Sequence, residues 1–134
     1  MIEILFGTRP GVSKSWVQRI VEGTLRAEKT RGQIDILVTD NRSIRKINKR
    51  FLKHDYATDV VSFLLSDTVG NIVVSAEFAK NYSKAHKISY REELARYLVH
   101  GTLHLLGYDD KKEKDFVRMH ARQERIIASF REIG

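Results

Sequence analysis

Residues 89–106, SYREELARYLVHGTLHLL, constrain the fold more than any other stretch of the chain. Ser89 and Glu92 stand in S-x-x-E spacing, the reciprocal cap that opens a helix. From Leu94 to Leu106 the residues are apolar nearly all round. A helix without a polar face is buried at the centre of a domain, so the rest of the chain has to surround it.

The surrounding pieces are legible in order. IEILF (2–6) reads as a strand closed by Gly7, Pro10 and Gly11. Ser13 caps a helix running to about Lys29, with Trp16, Ile20 and Leu25 at helical spacing. IDILV (34–38) is a β-branched strand. Residues 40–51 open on capping residues and carry Ile44, Ile47 and Phe51 as a narrow apolar stripe. VVSFLL (60–65) and NIVVS (71–75) flank the turn-rich SDTVG and predict a hairpin. A helix over 76–87 precedes the buried one. A charged helix over about 111–132 follows it, with Phe116, Met119, Ile126 and Phe130 facing inward. The order β-α-β-α-β-β-α-α-α predicts an α+β fold: a small mixed sheet of about four strands packed with five helices. There is no repeat, linker or low-complexity tract, so residues 1–134 read as one domain.

Composition narrows the chemistry. There are no cysteines, which excludes disulfides and thiolate metal sites. No apolar run is long enough to span a bilayer, and the N-terminus lacks a signal-peptide pattern, so the expectation is a cytoplasmic protein without membrane contact. The formal net charge is +7, which favours a polyanionic partner. Arg42, Arg45, Lys46, Lys49, Arg50 and Lys53 cluster in or just after the second helix and are candidate RNA phosphate contacts. An ordinary solvated helix face accounts for them equally well.

His100 and His104 are one helical turn apart on the buried helix, so both imidazoles reach one side of it. Gly107 can end the helix in a left-handed conformation and turn the chain back. Asp110 then arrives where a third ligand is needed. The pattern H-x-x-x-H-x-x-G-x-x-D has the spacing of H-E-x-x-H-x-x-G-x-x-H metal sites with two substitutions. Three protein ligands leave a position open for water, which marks a catalytic site. Gly101 stands where a metallopeptidase has its catalytic Glu, so a nearby base would have to be Asp109, or a metal-bound hydroxide has to act on its own. Thr58 and Asp59 precede a strand; they order the loop, or Asp59 reaches a ligand histidine from behind. His54, His86 and His120 read as isolated surface residues.

HGTLHLLGYDD (100–110) resembles the signature H-G-x-L-H-L-x-G-Y-D-H of the YbeY family of bacterial endoribonucleases, differing only at the last fixed position. The family's T-D-V-L-S-F block appears as TDVVSF (58–63) and its L-N as IN (47–48), in the same order and spacing. The resemblance covers nearly the whole chain. It implies one zinc ion held by His100, His104 and Asp110. It also implies metal-dependent cleavage of single-stranded RNA, and a role with the ribosomal small subunit in rRNA 3′-end maturation and quality control. Three positions depart from the pattern. Asp110 replaces the usual His, which keeps a normal zinc ligand but adds a negative charge. Leu52 stands where many members have Arg, and Asn71 replaces an Asp.

Two other functions fit the residues. One is a non-catalytic RNA-binding ribosome-assembly factor with a structural metal. The other is a small metallopeptidase, disfavoured by Gly101 and by the basic charge. A monomer is the expected state.

Overall fold

The computed structural model describes residues 1–131 and 133. The elements are β1 (Ile2–Phe6), α1 (Lys14–Ala27), β2 (Gln33–Thr39), α2 (Asn41–Leu52), β3 (Val60–Leu64), β4 (Val69–Ser75), α3 (Ala76–His86), α4 (Tyr90–Leu105) and α5 (Glu113–Ser129). Type and order are those expected from the sequence. The α+β class, the four-stranded mixed sheet and the five helices are all present. The last helix is shorter than its pattern: it starts at Glu113, stops at Ser129, and turns extended at Phe130. Residue 132, the predicted end, lies outside the described residues.

The strands lie in the order β1-β2-β4-β3. β1, β2 and β4 are parallel, and β3 returns antiparallel on β4 at the edge. Strand side chains alternate between faces. Ile34, Ile36, Val38, Ile72 and Val74 therefore point to one side, into the main core with α1 and α4. Val61 and Val73 point to the other side, where Ile44 of α2 covers them. Phe51 ends the α2 stripe half-exposed, stacked on Phe63 at 4.7 Å.

The apolar helix α4 is enclosed as its sequence requires. It touches α1, α3, α5, β3 and β4, and Leu94, Ala95, Leu98, Val99 and Leu103 have no exposed surface. It packs tightly on the sheet at Gly101. A Cβ there would lie 2.9 Å from Ser62 Oγ and 3.0 Å from Ile72 Cγ2 and Val60 Cγ2. The Ser62 hydroxyl uses the space to donate to the Gly101 carbonyl at 3.0 Å.

One inward assignment on α5 is corrected. Met119 and Ile126 are buried and Phe130 is half-buried, but Phe116 is 49% exposed. Phe116 shares a stripe with His120 and Gln123 that faces an open cleft beside α4 rather than the core. Among the described residues, no helix is long and apolar enough to cross a membrane.

Candidate metal centre

Two groups of the centre are placed by α4 and one by the turn that leaves it. His100 and His104 stand one turn apart and meet edge to face, ring centroids 4.7 Å from each other. Gly107 has φ 101° and ends the helix. The Gly107 amide donates to the His104 carbonyl at 3.0 Å and the Tyr108 amide to the Leu103 carbonyl at 3.1 Å. This pair of bonds is the Schellman termination, and it reverses the chain. Asp110 is carried back over the histidines. Its Oδ2 lies 3.6 Å from His100 Nε2 and 3.3 Å from His104 Nε2.

The three residues offer ligand atoms that all lie within 4.8 Å of one another. Zinc bonds of about 2.0–2.1 Å in tetrahedral geometry separate neighbouring ligand atoms by about 3.3 Å. The Asp110–imidazole separations are therefore those of ligands around one small cation, and the donor set fits it.

The far side of each ring is also fixed. His104 Nδ1 lies 3.0 Å from the Tyr108 carbonyl, which can only accept, so Nδ1 carries the proton. His100 Nδ1 lies 2.8 Å from Gln123 Oε1. The Gln123 amide nitrogen donates to Glu124, so its oxygen is the end that faces His100. In each ring Nδ1 is thus held from behind and Nε2 is the nitrogen that faces Asp110. Such outer partners typically control metal affinity about 10–100-fold. Gln123→Leu is expected to weaken zinc binding by about that factor, with far-ultraviolet circular dichroism unchanged. Competition with a chromophoric chelator measures it, and equal affinity would remove Gln123 from the centre.

The turn itself is anchored to distant parts of the chain. The Tyr108 hydroxyl donates to Glu28 Oε1 at 2.7 Å, and Arg122 Nε donates to Glu28 Oε2 at 2.6 Å. Arg122 also donates to the Ala27 carbonyl at 2.9 Å. Burial alone would raise the Glu28 pKa, but the bonds from Tyr108 and Arg122 outweigh it and hold it below the ordinary 4.5. A carboxylate with a depressed folded pKa stabilises the fold at pH above its unfolded value. That contribution disappears as pH falls through the folded one. Glu28→Gln is therefore expected to lower Tm at pH 7 and to narrow the gap to the parent protein as pH falls below 4.5. Thermal melts of both proteins across that range are the check; a constant gap would refute the assignment.

The other candidate residues separate into those the fold brings near and those it does not. Asp109, the proposed base, is not in the donor group. Its Oδ1 accepts the Lys111 amide at 3.0 Å, and its side chain borders a different cleft with Asp115 and Arg118. The helix-terminating turn presents only one of two adjacent aspartates to the histidines, and that one is Asp110. Thr58 and Asp59 are tied locally. Thr58 Oγ1 and the Val60 amide both donate to Asp59 Oδ1, at 3.1 and 2.7 Å. The backs of the histidines are held instead by Gln123 and Tyr108. In the basic segment, Arg45 and Lys49 converge on Asp55 at 2.9 and 3.8 Å. Arg50 lies over the Phe51 ring at 5.4 Å. Arg42, Lys46 and Lys53 are exposed. Leu52, at the end of α2, lines the same cleft as His104 and the free edge of β3. Sequence reasoning missed Gln123, Glu28 and Arg122, and no local pattern signals them.

A mixed sheet that buries a histidine-bearing helix, with a carboxylate returned onto that helix by its own exit turn, defines a small α+β protein with a three-donor His/His/Asp centre. Residues 9–131 match the model of the family described as endoribonuclease YbeY, and the chain belongs to that family. Relatives named endoribonuclease YbeY include one from Porphyromonas gingivalis, 37% identical over 91% of this chain and 87% of its own length. Another, from Flavobacterium johnsoniae, is 35% identical over 86% of this chain and 83% of its own. The solution structure of a Thermotoga maritima protein is similar with a TM-score of 0.69 and 25% identity, covering 95% of this chain and 87% of that one.

Proposed function

We propose that this protein is a zinc-dependent endoribonuclease that cuts single-stranded RNA, with His100, His104 and Asp110 holding one Zn2+ per chain. The observation that carries the proposal is the convergence of three donor atoms whose imidazole members are both oriented from behind. Family membership points to RNA as the substrate. By the same reading it acts as a single-domain cytoplasmic monomer on the 3′ end of small-subunit ribosomal RNA and in ribosome quality control.

A zinc ion at such a centre supplies Lewis acidity, polarising a phosphoryl oxygen and lowering the pKa of water. The protein's own residues do the rest. Gln123 and the Tyr108 carbonyl hold both imidazoles in one orientation, with Nε2 toward Asp110. The Schellman turn and the Glu28 anchor fix the Asp110 carboxylate. Arg42, Lys46, Arg50 and Lys53 draw the phosphate backbone toward the end of α2, where Leu52 opens onto the cleft at His104. Arg45 and Lys49 contribute less, because Asp55 offsets them. With Asp109 in its own turn, no side chain beside the centre is assigned as general base.

The test is digestion of an end-labelled single-stranded RNA by the purified protein, with chelator, without it, and after zinc is restored. Casein is incubated in parallel. The expected result is RNA cleavage lost on chelation and regained with zinc, and intact casein. RNA that is bound but not cut by the zinc-loaded protein would favour the assembly-factor reading.

A further inference from the structure

The stripe of α4 that carries the histidines does not end at them. Glu93, Tyr97, His100 and His104 follow at i, i+4, i+7 and i+11, along one side of the helix. Tyr97 stands three residues before His100, about 4.5 Å along the axis. Over this part of α4 lies an open cleft of about 530 Å³, flanked by α3 and α5 and reaching His100. It falls in the range of about 300–1,000 Å³ typical of small-molecule sites.

Three independent features of the cleft point to one kind of occupant. The first is Tyr97. The residue is 4% exposed, and its hydroxyl makes no hydrogen bond of ordinary geometry among the described residues, although the Glu93 carboxylate lies beside it. Buried hydroxyls are rarely left unsatisfied, and one that lines a cleft is available to a ligand. Burial first, and then the Glu93 carboxylate, raise its pKa above the ordinary value, so it remains a donor. The second is charge. Asp59, Glu93 and Glu124 line the cleft, and Arg96 is already engaged by Glu93 and Glu124. This lining repels a phosphate and accepts from neutral N–H groups. The third is a pair of exposed rings on the flanks. Phe116 of α5 is 49% exposed and Tyr82 of α3 is 39% exposed. Phe116 lies nearly parallel to His120, with centroids 5.9 Å apart. Exposed rings beside a nucleic-acid cleavage centre are the surface on which unpaired bases stack.

We propose that this cleft is a nucleoside subsite that seats one base of the RNA next to the cut, stacked on Phe116, its amino group on Glu93 and its ring nitrogen on the Tyr97 hydroxyl. The proposal rests on the endoribonuclease reading and deepens it. An acceptor beside a donor matches the Watson–Crick edges of adenine and cytosine, which present an amino donor beside a ring-nitrogen acceptor. Uracil presents a carbonyl beside N3–H, the reverse order. A site built on hydrogen bonds rejects the mismatched partner because buried groups are left unpaired.

The experiment measures fluorescence anisotropy of labelled decamers of A, C and U with phosphorothioate linkages that resist cutting, at fixed salt. The parent protein is expected to bind the A and C decamers about tenfold tighter than the U decamer. Tyr97→Phe, which removes only the hydroxyl, is expected to abolish that preference and leave the U decamer unchanged, with Tm measured alongside. Phe116→Ala, at an exposed position, is expected to weaken all three about tenfold. Equal affinity of the parent for the three decamers, or a preference that survives Tyr97→Phe, would overturn the subsite while leaving RNA cleavage intact. Absence of binding to any decamer, with no RNA cleavage, would overturn the endoribonuclease reading as well.

Discussion

His104→Ala will purify with less than about a tenth of an equivalent of zinc, against about one equivalent in the parent protein. The expectation follows from the size of the donor set. Among the described residues only three protein groups converge, and removing one leaves a pair that cannot enclose a cation. His104 is the right probe because its loss exposes no new charge in the core. Its ring is partly exposed, and its Nδ1 partner is a backbone carbonyl that water can satisfy. RNA cleavage should fall at least about a hundredfold, since loss of an outer partner alone removes about 10–100-fold. The metal-free forms of the parent and the variant should melt within a few degrees of each other. Elemental analysis of protein purified without added metal decides the point. A full equivalent of zinc in the variant would place the site elsewhere in the chain.

Gly101→Glu will not convert the protein into a peptidase; it will destabilise the fold by about 3 kcal/mol or more. On paper the change completes H-E-x-x-H, the peptidase pattern. In the structure the position faces the sheet. The first carbon of any side chain meets Ser62, Val60 and Ile72 at about 3 Å. It also crowds the Ser62 hydroxyl off the Gly101 carbonyl. A carboxylate forced into that contact is desolvated against the Val60 and Ile72 side chains. Urea denaturation at pH 7 measures the loss, and casein digestion tests for activity. A stable variant, with or without peptidase activity, would show that α4 can lift off β3 and β4, contrary to the packing described.

The two outcomes illustrate which parts of this molecule can be read from its sequence. Spacing within one helix is set by covalent geometry, so the His100–His104 pair and the enclosure of α4 were legible from residues 89–106 alone. The class and order of the elements followed from apolar periodicity and turn residues. Gly101 was legible as a missing base but not as a contact surface, because Val60, Ser62 and Ile72 approach it from across the fold. Gln123 and Glu28 were invisible for the same reason: 23 residues separate His100 from Gln123, and 80 separate Tyr108 from Glu28. Phe116 obeys the apolar period of α5, yet that stripe faces a cleft, and periodicity does not distinguish a core from an empty groove. Asp109 and Asp110 are identical in composition and neighbours in sequence. Only the Schellman hydrogen bonds decide which of them returns to the histidines.

The way α4 ends has a further consequence for how such a centre can change over generations. The distance between the two histidines is invariant under anything short of breaking the helix. An insertion between them would rotate one ring out of the site and slip the apolar face of α4 against the sheet. The third donor is under no such constraint. It sits beyond a glycine, in a turn where Tyr108 donates to Leu103 and Glu28 and accepts from His104. A side chain of different length can be accommodated there by small backbone rotations that leave the core undisturbed. The centre thus has a frozen half and an adjustable half. Asp110, where the family signature has His, falls in the half that can exchange one donor chemistry for another without redesigning the protein around it.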